Sequence, residues 1–277
     1  MTAGGEPGLE ASWPAAVVFV GTLVAFLRAA TVVVGRLRRG EPLVVERPHA
    51  AVPWDLGDVG VIVAAYVWGA GLLEWLSAEP ITLFDRLVNN ATLNVAVLLA
   101  GIAWLSARGA DAAALGFRSP GNGEVFRLAV GGLALVQFPL LLAAAAVNAI
   151  VPYEHPILEF LDNARGPAAA LVVIVSAVVT APLAEEFFFR RVLQGWLEKR
   201  FVGQPGMAVL IASAAFAAAH VGQGLAFLPL FPLAIVLGVI TQRTGSILPA
   251  VLIHALFNAV GVFLMLTRPL PVPGPAG

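Results

Sequence analysis

Eight apolar runs divide this sequence, and they constrain its fold more than any other feature. A helix needs about 20 residues to cross the ~30 Å hydrocarbon core of a bilayer, and apolar runs near that length recur along the chain. They lie at Trp13–Gly35, Leu56–Leu76, Leu87–Ala107, Val125–Val151, Pro167–Leu197, Gly206–Ala226, Leu228–Gln242 and Ser246–Leu266. The pattern predicts an all-α fold, a polytopic transmembrane helical bundle of about eight spans.

The composition agrees with a membrane protein. Of the 277 residues, 59% are hydrophobic and 12% are charged, whereas soluble domains carry about 25% charged residues. No basic cluster is interleaved with aromatic residues, so nucleic acid is not an expected partner. The chain has no cysteine, which excludes disulfides, thiolate metal sites and a cysteine nucleophile.

The basic residues fall mainly on one side of the predicted membrane. With the N-terminus outside, the inner loops hold twelve of them, and the outer loops hold only Arg86, Arg165 and Arg268. The positive-inside rule therefore places both termini outside the cytoplasm. The first run follows Glu6 and Glu10 and no basic stretch, so we interpret it as a retained span and not a cleaved signal peptide. The strong preference for arginine over lysine favours a bacterial source, and hence a multi-pass protein of the bacterial inner membrane.

The chain is predicted to have three parts. Residues 1–165 form about four N-terminal spans, and residues 166–266 form about four spans that hold most of the polar residues of interest. Residues 267–277 are rich in Pro and Gly and are expected to be disordered. The sequence has no internal repeat, so it lacks the signature of an inverted-repeat transporter.

Polar side chains inside an apolar span are costly, which makes each one a functional candidate. In the first four spans structural roles are expected for them. Arg28 is expected to reach the interface or pair with a neighbour. Five amides are expected to form interhelical hydrogen bonds or to end a span: Asn89, Asn90, Asn94, Gln137 and Asn148.

The second half contains three polar motifs at helical spacing. They are E-E-F-F-F-R at Glu185–Arg190, F-A-A-A-H at Phe216–His220 and H-A-L-F-N at His254–Asn258. Residues four apart share one helix face. Glu186 can therefore form an ion pair with Arg190, while Glu185 lies about 100° round the helix and points elsewhere.

Pro182 precedes the two carboxylates. Inside a helix it would leave the carbonyl of Val178 without its N–H partner and bend the axis, which can re-aim Glu185. The alternative is that Pro182 ends the span and the charges that follow lie at the interface. In either case Arg191 is expected to anchor the inner end of the span.

The histidines favour the first alternative. Only four occur, and His220 and His254 lie in apolar spans, whereas His49 and His155 lie in loops. Two buried histidines, a buried carboxylate and an amide one turn from the second histidine form a set that can carry out hydrolysis.

The chemistry would start from a water molecule. Burial beside a second carboxylate makes Glu185 a better proton acceptor near neutral pH, so it would take a proton from a water shared with His220. His254 and the Asn258 amide would donate hydrogen bonds to the oxyanion that forms when the water attacks a carbonyl. Protonated Glu185 could then supply the proton that the leaving amine requires.

A metal site is the alternative for the same residues. Glu185, His220 and His254 match in type the three ligands of a catalytic zinc site whose fourth ligand is water. The helical H-E-x-x-H arrangement is absent, and nothing in the sequence requires a cofactor, so the metal-free glutamate mechanism is favoured over a divalent metal such as zinc.

The three motifs resemble those of the CAAX protease and bacteriocin-processing family (CPBP, or Abi) of intramembrane endopeptidases. That family carries E-E-x-x-x-R, F-x-x-x-H and H-x-x-x-N. The stretch R-T-G-S-I-L-P-A at Arg243–Ala250 is also similar to the family's approach to its last motif, and the resemblance extends over about Pro167–Phe263. Some members resemble type II CAAX prenyl proteases, which remove three residues from the C-terminus of prenylated proteins.

The resemblance implies an intramembrane protease with the site residues Glu185, Glu186, Arg190, His220, His254 and Asn258. It implies the roles described above, and it adds that Glu186 and Arg190 support the base. The substrate would be a peptide or a membrane-associated protein, prenylated or not. Members of the family also serve in peptide maturation, bacteriocin immunity and scaffolding. A non-proteolytic binding or immunity protein is therefore the alternative function.

Overall fold

The computed structural model confirms the predicted helical fold. It describes residues 13–47, 51–77, 80–153, 155–164 and 166–268. Within these ranges the protein forms helices and no strands. The expectations for Glu6, Glu10, His49, Arg165 and the tail beyond residue 268 concern residues outside these ranges.

The observed helices follow the predicted spans closely. They are α1 (Trp13–Arg38), α2 (Leu56–Leu76), α3 (Leu83–Ala107), α4 (Asn122–Ile150), α5 (Pro156–Asn163), α6 (Pro167–Arg200), α7 (Pro205–Ala219), α8 (Phe227–Thr244) and α9 (Leu248–Leu266). Among the described residues, seven helices are long and apolar enough to cross a membrane. These helices confirm a polytopic bundle of about eight spans.

The predicted span at Gly206–Ala226 differs from the structure. Helix α7 has 15 residues and is about 22 Å long, shorter than the hydrocarbon core. The chain continues as an irregular 3₁₀ turn at Val221–Ala226, where Gly224 has φ +64°. Glycine adopts this left-handed backbone conformation readily, whereas residues with a side chain rarely do. The helix therefore ends inside the bundle, directly before His220.

Helix α6 is interrupted twice along its 34 residues. Its α-helical pieces are Pro167–Ile174, Ala181–Glu186 and Gln194–Arg200, and its π-helical pieces are Val175–Thr180 and Phe187–Leu193. The N–H of Ala181 bonds to the Ser176 carbonyl and that of Gln194 to the Phe189 carbonyl, each five residues back. Such π turns within α-helices occur frequently at functional sites. The two adjacent carboxylates lie in the short α-helical piece between them.

Close packing holds α9 against α4 and α8. A buried apolar cluster joins these helices through residues such as Leu128, Leu237 and Ile253. At Gly132 an added Cβ would lie 2.7 Å from the Ile253 Cδ1. Small residues at such positions let membrane helices approach closely, so Gly132 sets the position of the helix that carries His254.

The connectors at the basic end are fixed to the bundle by polar contacts. Asp58, buried at the start of α2, accepts a hydrogen bond from the Trp104 Nε1 at 2.9 Å and pairs with the Arg108 Nε at 3.1 Å. The Trp54 Nε1 donates to the Val192 carbonyl at 2.9 Å. The contact between Asp58 and Trp104 joins α2 to α3. The contact between Trp54 and Val192 joins the α1–α2 connector to α6.

We expect Asp58→Ala to lower the free energy of unfolding by about 1–3 kcal/mol, because it leaves the Trp104 N–H and the Arg108 guanidinium without their acceptor. The measurement is unfolding of the detergent-solubilised protein. Glu41→Ala is the control, since Glu41 pairs with Arg39 on the exposed surface and exposed ion pairs contribute little. Equal losses for the two variants would contradict this account of Asp58.

Candidate active site

Three helices bring Glu185, His220 and His254 to one point. The Oε2 atom of Glu185, on α6, lies 3.8 Å from the Nε2 of His220 and 3.9 Å from the Nε2 of His254. Both separations are too long for a direct hydrogen bond. Within the described part of the chain, this buried oxygen has no hydrogen-bond partner.

The orientation of His220 follows from its position at the end of α7. Its backbone N–H closes the helix on Ala217 at 3.0 Å, and its ring Nδ1 lies 2.8 Å from the Phe216 carbonyl. A carbonyl oxygen can only accept, so the Nδ1 carries a proton and donates it. The Nε2 is left to face Glu185.

His254 is held by Glu186. Its Nδ1 lies 2.9 Å from the Glu186 Oε1, while the Oε2 of the same carboxylate accepts a hydrogen bond from the Arg190 Nε at 2.8 Å. Glu186 is fully buried and Arg190 is 1% exposed. The ion pair between these two residues was predicted. The contact from Glu186 to His254 was missed, since it joins residues 68 apart and no local spacing indicates it.

The ring of Phe216 joins the three motifs. It lies 4.7 Å from the His220 ring and 5.6 Å from the His254 ring, centroid to centroid, and the Arg190 Cζ is 5.0 Å from its centroid. The guanidinium over the ring face is a cation–π contact. Phe216, which is fully buried, therefore spaces the catalytic candidates as a packing residue.

Asn258 completes a hydrogen bond that Pro182 cannot make. Since the N–H of Ala181 bonds five residues back to Ser176, the same register places the Ala177 carbonyl in line with Pro182, which has no N–H. The Nδ2 of Asn258 donates to this Ala177 carbonyl at 2.8 Å. The prediction that Pro182 deprives Val178 assumed a regular α-helix, and the π turn shifts the affected carbonyl by one residue.

Two cavities meet at Glu185. One, of about 400 Å³, is lined by Tyr66 and by residues of α3 and α6. The other, of about 460 Å³, is largely apolar and is lined by His254 and Asn258. Glu185 and His220 line both cavities, so the converging groups lie at their junction.

The amides of the first four spans have different surroundings. Asn89 donates to the Ser77 Oγ at 2.8 Å and Asn148 accepts from the Tyr153 N–H at 2.9 Å, as predicted for interhelical and span-end residues. Asn90, Asn94 and Gln137 line the cavities. Gln137 is 3% exposed, and its Oε1 has no partner among the residues that the structure covers. The sequence prediction therefore missed the cavity position of three polar groups.

The three proposed zinc ligands, Glu185, His220 and His254, converge. Among the described residues, no group of three His, Asp or Glu side chains is already placed to hold a metal ion. The zinc alternative stays a prediction, and no step below depends on a metal.

The fold and the site together define a polytopic helical membrane protein with a buried glutamate–histidine centre. In a comparison with protein families, residues 167–260, about a third of the chain, match the family described as Type II CAAX prenyl endopeptidase Rce1-like. Comparison with curated proteins found no match, and comparison with solved structures found none. The family match confirms the predicted resemblance over this part of the chain. It supports an intramembrane protease, whose substrate is a protein in the membrane.

We expect Asn258→Leu to destabilise the protein by about 1–3 kcal/mol, because the Ala177 carbonyl is left without a donor. Pro182→Ala supplies an N–H in line with that carbonyl, so the Asn258→Leu substitution should cost less in the Pro182→Ala background. A double-mutant cycle of unfolding free energies measures this coupling, which should be about 1 kcal/mol. Additive effects would show that Pro182 and Asn258 do not act on the same carbonyl.

Proposed function

We propose that this protein is an intramembrane endopeptidase that hydrolyses a peptide bond with water activated by Glu185. The observation that carries the proposal is the convergence of the Glu185 carboxylate with the His220 and His254 Nε2 atoms at the junction of two cavities. These separations of 3.8 and 3.9 Å exceed a direct hydrogen bond, as a bridging water requires. The Glu185 Oε2 would share such a water with His220.

Counting protons supports distinct roles for the two histidines. Both rings use the Nδ1 as donor, to Phe216 and to Glu186, so in neutral rings both Nε2 atoms are acceptors. One water has two protons and cannot satisfy the Glu185 carboxylate and both rings. One further proton, held on His254, resolves this. The water then donates to Glu185 and His220, and the His254 Nε2–H donates to the oxygen of that water.

The same arrangement supports stabilisation of the oxyanion. A His254 ring with protons on both nitrogens is paired with Glu186 on one side and presents an N–H to the cavity on the other. One amide N–H of Asn258 is used by Ala177, and the second is left for a substrate oxygen. Donors fixed before the reaction stabilise developing charge without reorganisation. After attack, protonated Glu185 would pass its proton to the leaving amine.

The substrate that fits this site is a membrane-associated peptide. The cavity beside His254 is largely apolar, as a lipid-modified or apolar segment requires. We therefore propose C-terminal processing of the CAAX type or maturation of a peptide such as a bacteriocin, carried out in a bacterial inner membrane. The family match over residues 167–260 supports the first of these.

Glu185→Gln should reduce cleavage of a membrane-associated peptide by about 10²-fold or more, because the amide has the shape of the carboxylate but cannot accept the proton. The measurement is the initial rate of product formation by purified protein, with helical content checked for each variant. Glu74→Gln is the matched control, since Glu74 is an exposed carboxylate at the end of α2.

Persistence of cleavage at the wild-type rate in Glu185→Gln would show that Glu185 is not the base. A cellular phenotype that survives substitution of Glu185, His220 and His254 in turn would instead identify a non-proteolytic binding or immunity protein.

The metal-free mechanism predicts that activity survives a chelator. We expect purified active protein to contain no stoichiometric zinc or other divalent metal by elemental analysis and to retain its cleavage rate after chelation. Loss of activity on chelation with recovery on addition of zinc would contradict the mechanism, while leaving the proposed proteolysis intact.

A further inference from the structure

A third cavity lies at the basic end of the bundle, away from Glu185. It has a volume of about 420 Å³. Its wall combines the α1–α2 connector, the α3–α4 connector, α6 and the end of α8. Its charged lining consists of three arginines and one acid: Arg47, Arg118, Arg191 and Asp111.

Arg191 brings a buried cation to this cavity. Arg191 is 2% exposed, and its Nε donates a hydrogen bond to the Ala114 carbonyl. Its guanidinium lies 5.8 Å from the Trp54 ring centroid. No carboxylate of the described chain lies within ion-pair distance of it, and the charges of Glu198 and Asp111 act on it only from farther away. A buried charge is normally paired, so a guanidinium that lines a cavity in this way favours an anion there.

The other charged groups of the cavity leave a net positive charge. Arg47 pairs with Glu124, and the Asp111 Oδ1 accepts the Ala114 N–H at 2.7 Å. Arg118 is exposed and forms no ion pair with any described residue. Arg118 and Arg191 therefore line one cavity whose lining includes a single carboxylate, Asp111, and the residue Ser119.

We propose that this cavity binds a phosphate group, carried by an anionic phospholipid headgroup or present as the free ion. Arginine forks match the oxygens of a phosphate. The cavity lies among the connectors at the end of the bundle where the basic residues concentrate. This end is predicted to face the cytoplasm, and it would lie at the level of the lipid headgroups. Basic pockets between membrane helices on that side bind anionic headgroups. The inference does not depend on the proposed proteolysis.

The test compares two lipids and two variants. Native mass spectrometry of the purified protein measures retention of phosphatidylglycerol and of phosphatidylcholine at matched concentration. We expect preferential retention of phosphatidylglycerol, weakened about fivefold by Arg118→Gln, as one arginine contributes near a membrane surface. Arg38→Gln is the matched control, an exposed arginine at the end of α1 that does not line the cavity.

A second measurement distinguishes binding of the free phosphate ion from binding of the lipid. Thermal stability is measured in inorganic phosphate and in chloride of equal ionic strength, for the wild-type protein and both variants. Stabilisation by phosphate that is lost only in Arg118→Gln supports a free phosphate, and phosphatidylglycerol retention lost only in that variant supports the lipid. Equal retention of both lipids without stabilisation by phosphate would overturn the proposal, as would equal effects of the two substitutions. The lipid comparison on the wild-type protein requires no variant to fold.

Discussion

The buried carboxylate of Glu186 is the contact on which the rest of the site depends. One of its oxygens accepts from Arg190 on the same helix, and the other accepts from His254 on α9. Removal of one partner from a buried pair leaves a charge without compensation, which is strongly destabilising. Glu186 therefore fixes the ring orientation of His254 and joins two helices that the sequence separates by 68 positions.

The neighbouring carboxylate has the opposite environment. The side chain of Glu185 is 26% exposed, whereas that of Glu186 is fully enclosed. Adjacent positions on a helix point about 100° apart, so one carboxylate can face the protein interior while the next faces the cavities. The π turns on either side confine this pair to a short α-helical piece, Ala181–Glu186. The Asn258 amide satisfies one carbonyl that the irregular backbone leaves open.

Local regularities in the sequence predicted much of this architecture. Apolar run lengths indicated the helices, and a spacing of four indicated the pairing of Glu186 with Arg190. The early end of α7 was missed because Val221–Ala226 was counted within an apolar run, although its two glycines are a signal for a helix break. The contact between Glu186 and His254, and the cavity position of Gln137, depend on how distant helices pack. A single sequence carries no periodic signal for either. The π register was equally hidden, which is why the affected carbonyl was placed at Val178.

The junction of the two cavities also limits the shape of what can bind there. A helical peptide satisfies its own backbone, and its carbonyls are then engaged in its own hydrogen bonds. An extended peptide exposes N–H and C=O groups, and in a setting without bulk water each of these needs a partner. Asn90 and Gln223 line both cavities, and Gln137 holds an unpaired oxygen in one of them. These amides are groups that could serve as substitute backbone partners for an extended segment.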